Sequence, residues 1–86
     1  MRINAKITRI VGDVKLKAYA TLCFDDKFLI TGVKVIDGTH GRFVSMPGRK
    51  ARDGTFYDVG FPITKEFRQE IQDAVLEAYT KKMEEL

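Results

Sequence analysis

The sequence predicts an α+β domain in which an antiparallel sheet of about five strands packs one face against a single long C-terminal helix. Three observations lead to this prediction. Apolar and polar residues alternate along most of residues 2–59, which is typical of half-buried strands. Short turn signals separate the alternating runs, and closely spaced turns favour antiparallel order. Beyond Pro62 the apolar residues recur at helical spacing, and the length of 86 residues suits one small domain.

The first three strands are predicted from alternation and from the turns between them. Residues 2–10 and 15–24 each alternate between an apolar and a polar side. The dipeptide Asp25-Asp26 then turns the chain into a third strand over residues 28–36. Within that strand the apolar positions change parity at Gly32, which indicates a β-bulge or a bend there.

A basic hairpin is predicted for the fourth and fifth strands, over residues 42–46 and 55–59. The segment between them, residues 47–54, begins with Pro-Gly and ends with Asp-Gly, both of which are turn signals. Three cations against one Asp give this solvent-facing loop a concentrated positive potential. The cations are Arg49, Lys50 and Arg52. This loop is the first candidate for a functional site.

One helix is predicted over residues 64–83, with Thr64 as its N-cap. The apolar stripe that should pack on the sheet consists of Phe67, Ile71, Ala74, Val75, Ala78 and Tyr79. Leu76 and Met83 fall outside this stripe. They are either scattered surface residues or part of a subunit contact, and the sequence does not favour one interpretation over the other.

Positive charge is concentrated in the front of the chain and in the hairpin. The formal net charge is +3, but residues 41–57 carry four cations and one acid, whereas residues 58–86 carry four cations and seven acids. A basic sheet region can bind nucleic acid by displacing counterions, and charge that serves only solubility is the strong alternative. The helix has one acidic flank, which should repel phosphates, so nucleic acid should approach the flank of Lys65 and Arg68.

The sheet face away from the helix is a second candidate surface. Lys6, Lys15, Lys17 and Tyr19 occupy that side of the first two strands. Basic residues with an aromatic residue among them could carry a nucleic-acid strand. There are two alternatives: an ordinary solvated antiparallel face, and a face or edge that a second subunit covers.

The sequence contains no recognisable catalytic or cofactor-binding arrangement. His40 and Cys23 are the only residues of their types, too few for a structural zinc site. No glycine motif for phosphate or dinucleotide binding is present, and Ser45 lacks the context of a hydrolase nucleophile. We therefore expect no enzyme, no cofactor and no small-molecule substrate. One Cys, no signal peptide and no apolar run of about 20 residues predict a cytoplasmic protein without membrane contact.

The chain resembles the SpoVG family, the stage V sporulation protein G or septation proteins of bacteria. The matching pieces are Val35-Ile36-Asp37-Gly38, Gly41, Phe43-Val44-x-Met46-Pro47, Asp53-Gly54-x-Phe56-x-Asp58 and Pro62-Ile63. Residues 71–76 of the predicted helix also fit the family, and the resemblance covers nearly the whole chain.

The resemblance implies a small β-sheet protein with a C-terminal helix that forms a homodimer and binds DNA, and in some relatives RNA, with little sequence preference. It also implies a regulatory role linked to septation, sporulation and gene expression. By position, the implied nucleic-acid contacts are Arg49, Lys50 and Arg52 in the loop, with Lys65 and Arg68 on the helix. The rival hypothesis is a protein-interaction module of the division or sporulation machinery, with the sheet edge, Leu76 and Met83 as contacts.

Overall fold

The computed structural model describes all of residues 1–86. Six strands and one helix follow one another along the chain. They are β1 (Ile3–Ile10), β2 (Leu16–Phe24), β3 (Phe28–Gly38), β4 (Gly41–Ser45), β5 (Gly48–Lys50), β6 (Phe56–Asp58) and α1 (Lys65–Glu84). Strands β1 to β4 form one antiparallel sheet in chain order, and β5 and β6 form a separate two-stranded hairpin. The predicted α+β class and the single C-terminal helix are confirmed.

A tight turn joins β3 to β4. Gly38 pairs with Gly41 across a two-residue loop, and Asp37 pairs with Arg42 next to them. Gly41 adopts φ +122°, a conformation that costs glycine little because it has no Cβ atom. The turn therefore brings β4 directly alongside β3.

The pairing predicted for the basic hairpin is wrong. Residues 42–45 belong to β4, which pairs with β3. Strand β6, within predicted residues 55–59, pairs with β5, which forms inside the segment predicted as a loop. Pro47 has no amide proton to continue a ladder, so the chain leaves the main sheet there and folds back on itself. Val59 donates to the Pro47 carbonyl at 2.9 Å, which closes the base of the new hairpin.

Helix α1 covers one face of the four-stranded sheet. Its buried residues are Ile71, Val75 and Tyr79, all within the predicted stripe. They pack with the buried sheet residues Ile7, Ala18, Ala20, Leu22, Val33, Val35 and Met46. The prediction that Leu76 lies outside the core-facing stripe is wrong, because Leu76 is half-buried and packs against this core. The apolar arc of a helix that packs on a sheet is broad enough to include it. Met83 is 42% exposed.

The start of α1 follows the predicted capping. Thr64 has extended backbone angles, and its hydroxyl accepts a hydrogen bond from the Phe67 amide at 3.1 Å. Lys81 and Lys82 lie in the last turn, where positive charge favours the negative end of the helix dipole. The helix ends at Glu84, one residue beyond the predicted end.

Three register shifts in the main sheet, at Thr8, Lys17 and Gly32, decide where particular side chains point. At Thr8, β1 has one residue more than β2, so Arg9 pairs with Tyr19. At Gly32, which has φ +78°, β3 has one residue more than β2, and the predicted bulge is confirmed.

At Lys17, β2 has one residue more than β3, and the lysine ammonium reaches the Asp37 carboxylate at 3.8 Å. Asp37 lies on the helix side of the sheet because it is two residues beyond buried Val35, and side chains two apart along a strand share a face. Lys17 is therefore not on the open face predicted for it.

Candidate functional site

The hairpin of β5 and β6 stands apart from the rest of the fold, and residues 47–59 are called the arm below. Neither strand contacts the four-stranded sheet or α1. Arg49 lies opposite Tyr57 and Lys50 lies opposite Phe56 in an antiparallel ladder. Every residue of both strands is exposed. The predicted binding loop is thus a projecting two-stranded element.

Local hydrogen bonds close the tip of the arm. Ala51 donates to the Thr55 carbonyl at 2.8 Å, and Gly54 donates to the Ala51 carbonyl at 3.0 Å. Gly54 adopts φ +87°, which glycine tolerates better than other residues. The Asp53 carboxylate accepts a hydrogen bond from the Thr55 amide at 2.9 Å, and this bond lowers the pKa of Asp53. The one acid of the turn is therefore occupied in holding the turn together.

Arg49, Lys50 and Arg52 carry unpaired positive charge. All three are exposed, and none forms a salt bridge or a side-chain hydrogen bond within the chain. A cation without an internal partner can bind a phosphate without first breaking a contact in the protein. The structure brings these three predicted residues together on one element.

Lys65 and Arg68 lie on the helix and not on the arm. They occupy the first turn of α1, three residues apart, which places them on the same side of the helix. Both are exposed and form no salt bridge. The five predicted nucleic-acid contacts thus form two groups on different elements.

Two other cations are committed to a single carboxylate. Asp37 accepts hydrogen bonds from Arg42 at 2.6 and 3.2 Å and lies 3.8 Å from the Lys17 ammonium. The Arg42 hydrogen bond, together with the two nearby positive charges, lowers the pKa of Asp37, and the Asp37 hydrogen bond raises the pKa of Arg42. Because Asp37 already compensates part of their charge, Arg42 and Lys17 are poor candidates for phosphate binding.

The open sheet face carries some, but not all, of the residues predicted for it. Lys6 is exposed and forms no salt bridge, and Tyr19 is half-buried. Lys15 is also exposed, but it lies in the bend before β2 and not in the strand predicted for it. Tyr19 pairs with Arg9 of β1 and with Lys34 of β3, so both cations lie on this face. The sequence did not indicate Lys34, because the partner of a strand residue depends on the register between strands.

Sequence reasoning also assigned no role to the aromatic residues of the arm. Phe56 is 69% exposed and Tyr57 is 56% exposed. Their position next to each other in the sequence could have identified them, because neighbouring side chains in a strand point to opposite faces. At most one of the two could then face a core, and in the structure neither does.

The other residues considered from the sequence lie outside the arm. Met83 lines a shallow groove with Arg42 and Tyr79, so it stays available at the surface. Cys23 pairs with Leu29 near the start of β3, whereas His40 follows its end, roughly 30 Å along the strand. No Cys–His pair is formed, and no three His, Cys, Asp or Glu side chains cluster as metal ligands would. The single helix lacks the apolar length needed to cross a bilayer.

Comparison with known proteins confirms the resemblance seen in the sequence. The SpoVG family model matches residues 1–81. A relative from Symbiobacterium thermophilum is 50% identical over 76 residues, which cover 88% of this chain but only 54% of the relative, about half its length. A relative from Archaeoglobus fulgidus is 45% identical over 88% of this chain and 89% of its own length.

A third relative, from Clostridium beijerinckii, is 42% identical over 95% of this chain and 90% of its own length. All three carry the name "Putative septation protein SpoVG". The family match extends through all four strands of the sheet, the arm and most of α1. The chain therefore belongs to the SpoVG family.

Proposed function

We propose that this protein is a regulatory nucleic-acid-binding protein that binds DNA, and also RNA, through the cations of the arm. The observation that carries the proposal is that Arg49, Lys50 and Arg52 are exposed and unpaired on an element that contacts neither the sheet nor the helix. Such an element can reach a nucleic-acid backbone without obstruction by the domain. Lys65 and Arg68 serve as additional phosphate contacts.

The proposed mechanism is electrostatic. The guanidinium groups of Arg49 and Arg52 donate paired hydrogen bonds to phosphate oxygens, and Lys50 adds a compact positive charge. Contacts of this kind position the protein on the nucleic acid but do not read the base sequence. If all five cations contact phosphates, the logarithm of the duplex binding constant should fall with the logarithm of salt concentration with a slope of about −4 to −5 per protomer.

A homodimer is part of the proposal. One protomer with so few cations should bind weakly at physiological salt, and two arms on one dimer raise affinity through effective concentration. Leu76 and Met83 stay the predicted subunit contacts. Of the two, Met83 is the better candidate, because Leu76 is half-buried against the core of its own chain.

The biological setting is proposed from the relatives. Their shared name supports a role in septation. The family resemblance adds control of sporulation and gene expression in the cytoplasm. We propose that the protein is not an enzyme and needs no cofactor or small-molecule substrate, and the wide separation of Cys23 from His40 supports this.

Fluorescence anisotropy with labelled duplex DNA and labelled RNA, across a salt series, tests the proposal. The arm variant Arg49→Ala/Lys50→Ala/Arg52→Ala is compared with the matched variant Lys6→Ala/Arg9→Ala/Lys34→Ala, which removes the same charge from the open sheet face. Both variants are first shown to be folded and to have the oligomeric state of the wild type. The arm variant should lose affinity, and the magnitude of its duplex salt slope should drop by about 3 per protomer that contacts the duplex.

The two variants separate the possible sites. A small loss of affinity in the sheet-face variant, together with a large loss of affinity in the arm variant, supports the proposal. Equal losses would mean that only net charge matters, and a larger loss in the sheet-face variant would move the site to that face.

The second hypothesis, a protein-interaction module, is favoured by one observation. A run of large apolar side chains on and after β6 is exposed: Phe56, Tyr57, Val59, Phe61 and Ile63. Contiguous exposed apolar surface often marks a site of protein contact. If the wild type binds neither DNA nor RNA at low salt, this hypothesis replaces the first.

A further inference from the structure

We propose that the arm binds single-stranded nucleic acid in preference to duplex, by stacking one unpaired base on the ring of Tyr57 while Arg49 holds a phosphate. The inference rests on the nucleic-acid-binding function proposed above, and it names the structural class of the ligand. The site is one face of the arm, and its geometry follows from the register of β5 and β6.

Antiparallel pairing places Arg49 and Tyr57 on the same face of the arm. Residues directly opposite each other in such a ladder point to the same side and have Cβ atoms about 4.5–5.5 Å apart. Tyr57 is 56% exposed, and Arg49 has no carboxylate or side-chain hydrogen-bond partner. Tyr57 and the Arg49 guanidinium are therefore both accessible and close enough to contact one nucleotide together.

The opposite face of the arm is less suitable because it carries an acid. Side chains alternate along a strand, so Asp58 shares the face of Lys50 and Phe56. A methyl group at Gly48 would lie 3.9 Å from an Asp58 carboxylate oxygen, which shows that this carboxylate lies beside β5. A carboxylate there repels phosphate. The face of Arg49 and Tyr57 has no acid in its ladder, and we therefore assign the stacking site to it.

An exposed aromatic ring beside a cation selects unpaired bases. In a duplex, neighbouring bases cover the flat face of each base, and a protein reaches only base edges and phosphates without unstacking. In a single strand the flat face is available, and stacking on an aromatic side chain stabilises the complex with every type of base. The cations of the arm attract both forms of nucleic acid, whereas Tyr57 adds a contact that only the single strand can make.

A fluorescence experiment tests the stacking directly, because the chain contains no Trp. Tyr57→Trp introduces a unique fluorophore, and a stacked base should quench it when oligo-dT or oligo-U is added but not when a duplex of equal length is added. Phe56→Trp is the matched control, since it places the same fluorophore on the opposite face. Equal quenching of the two variants, or equal quenching by single strand and duplex, would overturn the inference.

Affinity measurements give an independent test. Tyr57→Leu should weaken single-strand binding roughly 5- to 100-fold, because the aromatic ring is lost while an apolar side chain is kept. Tyr57→Phe and Phe56→Leu should bind single strands like the wild type, and duplex affinity should be unchanged in all three variants. If Tyr57→Leu weakens duplex binding equally, or converts a dimer to monomer, Tyr57 shapes the arm or a subunit contact and the inference is wrong.

Failure of this inference can be distinguished from failure of the proposed function. If the arm-cation variant loses duplex binding while Tyr57→Leu binds single strands normally, the function stands and the stacking site is wrong. If the wild type binds no oligonucleotide at low salt, the proposed function itself is wrong, and the stacking site is excluded with it.

Discussion

Arg42 lies over the ring of Tyr79, with its guanidinium carbon 4.9 Å from the ring centroid. Arg42 belongs to β4 and Tyr79 to α1, so this contact joins the edge of the sheet to the C-terminal part of the helix. The same guanidinium donates to Asp37 on β3 at 2.6 Å. Arg42 therefore anchors the strand that leads into the arm, and its positive charge is already paired with Asp37 and the Tyr79 ring.

Arg42→Ala should destabilise the fold but leave the proposed nucleic-acid binding intact. Loss of the ring contact alone should lower the free energy of unfolding by about 0.5–1 kcal/mol, and loss of the Asp37 contact should add to this. Lys81→Ala is the control, because its pair with Glu77 lies on the exposed helix surface and should contribute less. Urea unfolding measures both effects. An equal loss in the two variants, or weaker nucleic-acid binding by folded Arg42→Ala, would contradict this role.

The contact between Asp37 and Arg42 should make stability depend on pH in the acid range. The Arg42 hydrogen bond lowers the pKa of Asp37 in the folded protein below its ordinary value of 3.8. A carboxyl group with a lower pKa in the folded state contributes stability above its unfolded pKa, and that contribution is lost as the pH falls through the folded pKa. Asp37→Asn should therefore be less stable than the wild type at neutral pH, and the difference should shrink in acid. Urea unfolding of both proteins at neutral pH and in acid checks this. A difference in unfolding free energy that stays the same at the two pH values would contradict the prediction.

Thr64→Ala should shorten or fray the start of α1. The substitution removes the hydroxyl that accepts a hydrogen bond from the Phe67 amide. Loss of such a cap lowers the free energy of unfolding by about 0.5–2 kcal/mol. Thr64→Ser keeps the hydroxyl and should retain most of the stability. Thermal unfolding followed by circular dichroism compares the three proteins. If Ser and Ala variants are equally destabilised, the cap hydrogen bond is not the cause.

The arm should open locally without unfolding the domain, because β5 and β6 contact no other element. The amides of Ala51 and Val59 should exchange with solvent faster than those of β2. Gly54→Ala should speed this exchange further, since φ +87° does not suit alanine, while the unfolding transition of the domain stays unchanged. Hydrogen exchange measured by NMR tests this prediction.

Gly60→Ala is the matched control for the arm, because Gly60 has no positive φ and an added methyl group would contact nothing within 4 Å. It should leave the exchange of Ala51 and Val59 unchanged. If Gly54→Ala instead lowers the stability of the whole domain, the arm folds together with the body and does not open independently.

Met83→Ser should weaken a homodimer built on the helix surface. Met83 is 42% exposed and close to the end of α1, so its replacement should remove apolar contact area without loss of core packing. Leu86→Ser removes another exposed apolar side chain and should have no effect. Sedimentation equilibrium gives the dimer fraction of each protein. A dimer unaffected by Met83→Ser would place the subunit contact elsewhere on the chain.

The sequence by itself determined the features that depend on neighbouring residues. The cap at Thr64, the buried helix stripe from Ile71 to Tyr79 and the bulge at Gly32 were all predicted, because capping, helical spacing and glycine conformation are local properties. The three cations of the arm are also close together in sequence, so no knowledge of the fold was needed to find them.

The tertiary structure decided which strands pair and which surfaces stay open. Alternation shows which residues share a face, but it does not specify which strand lies alongside. The tight turn at Gly41 makes β4 the neighbour of β3. One extra residue at Lys17 moved that side chain from the open face to Asp37, because a bulge reverses the alternation. Tyr57 is exposed for a related reason: β6 pairs only with β5, and no other layer of the fold covers either face of that hairpin.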